Sequence, residues 1–212
     1  MTGHAAQSEH PLRYLALGDS YTIGEGVEQD GRWTYQLAAA LRENGIAIED
    51  PRTIATTGWT TDELAAAIDA EAPDAHDFVT LAIGVNNQYR GRDVDNYREE
   101  FDALLRRAIG LAGERDDRVL VLGIPDWGQT RFGRESGRDL AQVSRELDEF
   151  NATARDVCEH LGVGFVDVSD ASRAPDPEGA MLAEDGLHPS AAMYARWTAL
   201  ALPAALQALS RP

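Results

Sequence analysis

Apolar residues are distributed along this chain in two alternating patterns. Short unbroken apolar runs are separated by longer segments in which apolar positions recur at steps of three and four. The unbroken runs have the length of strands buried on both faces, and the stepped segments are helices with one buried stripe. Strands are thus expected at 13–17, around 46–55, and at 77–84, 118–124 and 164–168. Between them, Trp33, Leu37, Ala40 and Leu41 share one helical face, ended by Gly45. Thr60 and Glu63 have the spacing of a capping box opening a helix to about Ala72. Two long helices follow from Val94, Tyr97, Phe101, Leu104, Leu105, Ala108 and Leu111, and from Leu140, Val143, Leu147, Phe150, Ala154, Val157 and Leu161. Ser190 caps a last helix carrying Met193, Trp197 and Leu200, which Pro203 is expected to kink or end. Residues 85–91 and 125–138 read as loops, the second long enough to line a site. Strands alternating with helices indicate an α/β protein with a five-stranded parallel sheet covered on both faces, because parallel strands need crossover connections. Ligands of such sheets bind beyond the carboxyl ends of the strands.

Length and composition narrow this picture. The chain has 212 residues, 43% of them hydrophobic, enough for one domain with a substantial core. We expect a flexible tail at 1–11 and a single domain at 12–212. No apolar run approaches the roughly 20 residues that span a bilayer, so membrane insertion is not expected. The polar start lacks the basic end and apolar segment of a signal peptide, from which a cytoplasmic location is expected. Cys158 is the only cysteine, so no internal disulfide can form.

The formal charge of −17 argues against nucleic acid or an anionic membrane as partner and leaves a small molecule. All 19 basic residues are arginine. Without lysine there is no Walker phosphate clamp, no Schiff base and no Ser-Lys dyad. The lysine-free, acidic composition fits genomic base bias or adaptation to a salty cytoplasm.

The remaining chemistry centres on Leu15 to Gly26, where a buried strand turns at Gly18 and leaves Ser20 on the loop. A serine hydroxyl is a weak nucleophile that needs a base, an orienter for the base and donors for an oxyanion. Asp185 and His188 can supply the first two, since a carboxylate on one imidazole nitrogen fixes the tautomer that accepts a proton at the other. Gly58 can offer a backbone N–H and Asn86 a side-chain amide, although a turn glycine and a loop-capping asparagine would look the same. Gly24-Glu25-Gly26 lacks the third glycine of a dinucleotide-binding loop, and Thr22 replaces the last glycine of the G-x-S-x-G elbow. A metal site is not expected, because no second histidine or cysteine cluster is suitably spaced from His188.

Gly18-Asp19-Ser20-Tyr21-Thr22, Gly58, Gly84-Val85-Asn86-Asn87 and Asp185-Gly186-Leu187-His188-Pro189 resemble, in order, the four blocks of the SGNH hydrolases, also called GDSL esterases/lipases. The resemblance implies a three-layer α/β/α flavodoxin-like fold and a carboxylic-ester hydrolase without cofactor. It implies Ser20 as nucleophile, His188 as base and Asp185 as orienter, with Ser20, Gly58 and Asn86 forming the oxyanion hole and Asp19 structural. The chain departs from the family pattern at Asn87, where aspartate is usual, and at Tyr21, where leucine is the eponymous residue. Trp59, Tyr89, Arg90 and Trp127, with Arg92 and Arg131, are expected round the cleft and suit a polar or sugar-bearing ester, unless the arginines are engaged by neighbouring acids. Short-chain acyl or acetyl esters are the expected substrates. Carbohydrate deacetylation, lysophospholipase or thioesterase activity, acyl transfer, and sugar binding by a relic triad are the alternatives.

Overall fold

The computed structural model describes residues 10–176 and 179–210. Of the expected tail, residues 1–9 lie outside the described residues. The first strand, β1 (Tyr14–Gly18), is buried at every position and leads into a one-turn helix, α1 (Ser20–Ile23). Helix α2 (Trp33–Glu43) precedes β2 (Arg52–Ala55), shorter than its apolar run because only Ile48 of the run's first half pairs, with Leu12. Helix α3 (Thr61–Glu71) begins as the capping box requires, with the Glu63 carboxylate accepting from the Thr60 N–H at 2.9 Å. Strand β3 (Phe78–Ala82) is again wholly buried.

Two segments expected as loops contain short helices. Residues 85–91 hold α4 (Val85–Tyr89), and 125–138 hold a 3-10 turn (Trp127–Gln129) and α6 (Arg131–Glu135). These helices are too short for a three-four repeat to register in sequence. Helix α5 (Val94–Leu111) and strand β4 (Val119–Leu122) separate them. Helix α7 (Leu140–Leu161) runs as its periodicity predicts, followed by β5 (Gly164–Val166) and the short α8 (Ser169–Arg173). The last helix, α9 (Ala191–Leu209), continues through Pro203 instead of ending there. Beyond the proline, Ala205, Ala208 and Leu209 are buried, and this packing outweighs the backbone hydrogen bond that proline removes.

All strand pairings are parallel, in the order β2-β1-β3-β4-β5. Helices α2 and α9 pack together in one outer layer, and α3, α5 and α7 form the other. Gly18 stands level with Ala55 on one side and Ala82 on the other, so β1, β2 and β3 end at one edge. A side chain at Gly18 would collide with the Ala82 carbonyl and Thr22, which ties the strand's end to glycine. The loops carrying Ser20, Gly58 and Asn86 all leave from this edge.

Candidate active site

Ser20 follows directly on Asp19, which caps α1 by accepting from the Tyr21 N–H at 3.0 Å. The hydroxyl-bearing residue is only 5% exposed, and its own N–H has no acceptor among the described residues. The turn after β2 is held by the Trp59 N–H on the Thr56 carbonyl and by Gly58 at φ +85°, where a Cβ would be strained. The Gly58 N–H is likewise without an acceptor among the described residues. From the start of α4, the Asn86 amide donates to the Trp59 carbonyl at 2.9 Å and reaches Asp19 Oδ2 at 3.4 Å. One side-chain amide is therefore anchored between the two loops that present the free N–H groups.

The fourth segment is the turn before α9. Asp185 Oδ1 accepts from the N–H groups of Leu187 and His188, while Oδ2 lies 2.6 Å from His188 Nδ1. Burial pushes the Asp185 carboxyl up, but hydrogen bonds from the His188 ring and the two backbone N–H groups hold it below the usual carboxylate range. Helix α6 fastens the turn from outside: Phe132 N–H donates to the Gly186 carbonyl at 3.0 Å and Arg131 to the Glu184 carbonyl at 2.8 Å. Tyr21 meets the His188 ring edge-on at 5.7 Å and Trp197 at 5.9 Å, so the residue where leucine is usual packs the imidazole against α9.

No hydrogen bond joins Ser20 to His188 among the described residues. The ring's other nitrogen, Nε2, instead faces Glu25 Oε2 at 3.8 Å. Such contacts are often loose without substrate and tighten as the reacting groups arrive. Glu25, Tyr21 and Thr57 were not singled out as site residues by the sequence; nothing in the spacing of a half-buried acid two residues beyond a one-turn helix announces its place.

Asp19 is buried beneath the site, and desolvation pushes its carboxyl up to about 7 in spite of the hydrogen bond from Tyr21. Asn87 is fully buried, accepting from the Thr61 N–H at 3.1 Å and donating to the Thr61 hydroxyl at 2.7 Å. That hydroxyl donates in turn to Glu100. An amide thus ties α4 to α3 where an aspartate would compete with Glu100 for one proton.

The expected cleft residues divide. Arg90 is committed, donating to the Gly58 carbonyl at 2.6 Å and pairing with Glu63, and Arg92 pairs with Asp62 at 2.7 Å. Trp59 is half-buried and acts through its carbonyl on Asn86. Trp127 is 2% exposed, donates its indole N–H to Gln88 at 2.9 Å, and supports Tyr89, which is 39% exposed. A cavity of about 280 Å³ lies next to the site, with Tyr21, Trp127, Arg173, Leu187, Pro189 and Trp197 among its walls.

Ser20 at a strand end, two N–H groups without acceptors among the described residues, the Asn86 amide and the Asp185-bound imidazole of His188 thus lie on one edge of the parallel sheet. Residues 16–196 match the GDSL-like Lipase/Acylhydrolase family, and the chain belongs to it. Solved structures share the fold. A lipase/acylhydrolase from Enterococcus faecalis has a TM-score of 0.65 at 21% identity, over 92% of this chain and 96% of that one. The psychrotrophic esterase EstA from Pseudoalteromonas sp. has 0.66 at 16%, over 94% and 99%. A mutant of Axe2, an acetyl-xylooligosaccharide esterase from Geobacillus Stearmophilus, has 0.64 at 20%, over 96% of each chain. No curated relative matches in sequence. Among the described residues, no helix is long and apolar enough to cross a membrane.

Proposed function

We propose that this ester hydrolase cleaves short-chain acyl esters of polar alcohols through an acyl-enzyme on Ser20. The 2.6 Å contact between Asp185 and His188 Nδ1 carries the reading, because it leaves Nε2 as the proton-accepting nitrogen. Ser20 Oγ attacks the ester carbonyl and gives its proton to Nε2, while Asp185 stabilises the imidazolium. The carbonyl oxygen, now negative, is met by the N–H groups of Ser20 and Gly58 and the amide of Asn86. Collapse breaks the bond to the alcohol, which leaves with the proton from Nε2. Water then adds to the acyl group with His188 again as base, and the acid departs as Ser20 recovers its proton.

Glu25 beside His188 Nε2, Thr57 on Glu25 and Arg90 on the Gly58 carbonyl are all polar, which favours a small acyl group and a hydroxylated alcohol over a long alkyl chain. Replacing Ser20 with alanine is expected to abolish p-nitrophenyl acetate hydrolysis and labelling by a fluorophosphonate probe, with an unchanged circular dichroism spectrum. Turnover near the native rate in that variant means that another group is the nucleophile.

A further inference from the structure

We propose that Glu25 is a specificity-determining carboxylate of this site, set against the leaving-group face of His188 so that esters of anionic alcohols are turned away. The inference rests on the Ser20-His188 reading given above.

The placement of Glu25 is built into the backbone. Gly24 takes a left-handed conformation at φ +66°, and the Glu25 N–H returns to the Ser20 carbonyl at 3.1 Å, so the residue is folded back over the nucleophile's own turn. Its carboxylate accepts from the Thr57 hydroxyl, one residue before Gly58, and so spans the two loops that offer the free N–H groups. The same oxygen stands 3.8 Å from His188 Nε2. Nδ1 is occupied by Asp185, so Nε2 is the atom that protonates the departing alcohol, and the alcohol must pass beside Glu25.

The charges around it do not neutralise it. Arg90, from α4, pairs with Glu63 and donates to the Gly58 carbonyl, while Arg131, from α6, and Arg32, behind Gly24, keep their charge but are held on the Glu184 and Val27 carbonyls and not on the Glu25 carboxylate. Asp185, on the far side of the ring, is negative too. Among the described residues no arginine pairs with Glu25, whose side chain is 39% exposed to the approach. A second negative charge brought within several ångströms, at a dielectric between those of water and a protein surface, weakens transition-state binding by about tenfold. Neutral alcohols, sugars included, escape this repulsion, whereas phosphate- or carboxylate-bearing alcohols meet it.

The test compares two acetyl esters of similar size whose leaving groups differ in charge, methyl 4-acetoxybenzoate and the 4-acetoxybenzoate anion. Reading each enzyme by the ratio of the two kcat/KM values cancels the intrinsic reactivities between enzymes. Glu25→Gln, which keeps an acceptor for Thr57, is expected to improve the anion about tenfold relative to the neutral ester. Glu25→Ala is expected to do the same and serves should the glutamine variant unfold, and Glu25→Asp should keep the native preference. Because Asp185 and the net charge of the chain remain, 0.5 M NaCl should narrow the gap in both enzymes, and more in the native enzyme than in Glu25→Gln. An unchanged ratio in both neutral variants overturns the assignment. Ser20→Ala separates the two failures: if it is inactive and the ratio is unmoved, only the role of Glu25 falls, whereas if it is active the triad reading falls first.

Discussion

Asp19 shows how a single residue links the site to stability. Its carboxyl is buried and pushed up to about 7 by desolvation, while in the unfolded chain it titrates near the reference of about 3.9. Between those values the folded state holds the proton and the unfolded state has lost it, so stability falls as pH rises through the interval. The contribution is full below the unfolded value and gone above about 7. Asp19→Asn keeps the oxygen that caps Tyr21 and removes the titration. Urea unfolding at pH 5 and pH 8 should show the native protein losing on the order of a few kcal/mol relative to this variant at the higher pH. Equal pH slopes in the two proteins would mean that Asp19 is accommodated as an anion. At this scale the sequence was informative where chemistry and spacing coincide. Asp185 and His188 are three residues apart on one turn, and their contact could be anticipated. Glu25 and Tyr21 reach His188 through the fold, across more than 160 positions of sequence, and local spacing carries no trace of that.

At the scale of elements, the loop after β4 depends on one buried carboxylate and its half-buried arginine partner. Asp126, whose side chain is wholly buried, accepts from the Gly128 N–H at 3.0 Å, Ser144 at 2.6 Å and Arg173 at 2.9 Å, joining the 3-10 turn, α7 and α8. Arg173→Ala leaves that carboxylate buried with its cation gone, a change of about 3 kcal/mol, the lower end of the range because the other donors remain. The urea midpoint should fall accordingly, and a loss of only about 0.5 kcal/mol, typical of an exposed position, would assign the pair no more than a surface role. The long helices were legible because many turns of α5 and α7 repeat the same apolar step. The one-turn helices α4, α6 and α8 were not, since five residues hold no repeat and their stability comes from contacts such as Asp126 with Arg173. At Pro203, of the two outcomes expected, ending the helix is the one that does not occur, because the apolar face of α9 beyond it is buried.

For the molecule as a whole, the dominant unbalanced term is charge. A formal −17 on 212 residues, from 36 acids against 19 arginines, leaves nearly half of the acids without a cation even if every arginine finds a partner. The pairs that do form among the described residues are largely at the surface, as with Arg42 and Asp50 at 2.9 Å or Arg98 and Asp156 at 3.3 Å, and such exposed pairs contribute about 0–1 kcal/mol each. Salt weakens both these attractions and the mutual repulsion of the surplus carboxylates. The surplus is long-ranged, acting over distances comparable with the screening length of about 10 Å at 0.1 M, whereas the pairs are in contact and less affected. Compaction brings the surplus charges closer than in the unfolded chain, so repulsion falls mainly on the folded state. Raising NaCl from 20 to 500 mM (both chosen to lie on either side of roughly 0.1 M) is therefore expected to raise the urea midpoint at fixed pH. Repeating the titration with sodium sulfate and with sodium thiocyanate at equal ionic strength separates screening, which is common to all three salts, from anion-specific effects. A midpoint that falls with NaCl would show that contact pairs, not the net charge, govern the electrostatics of this fold.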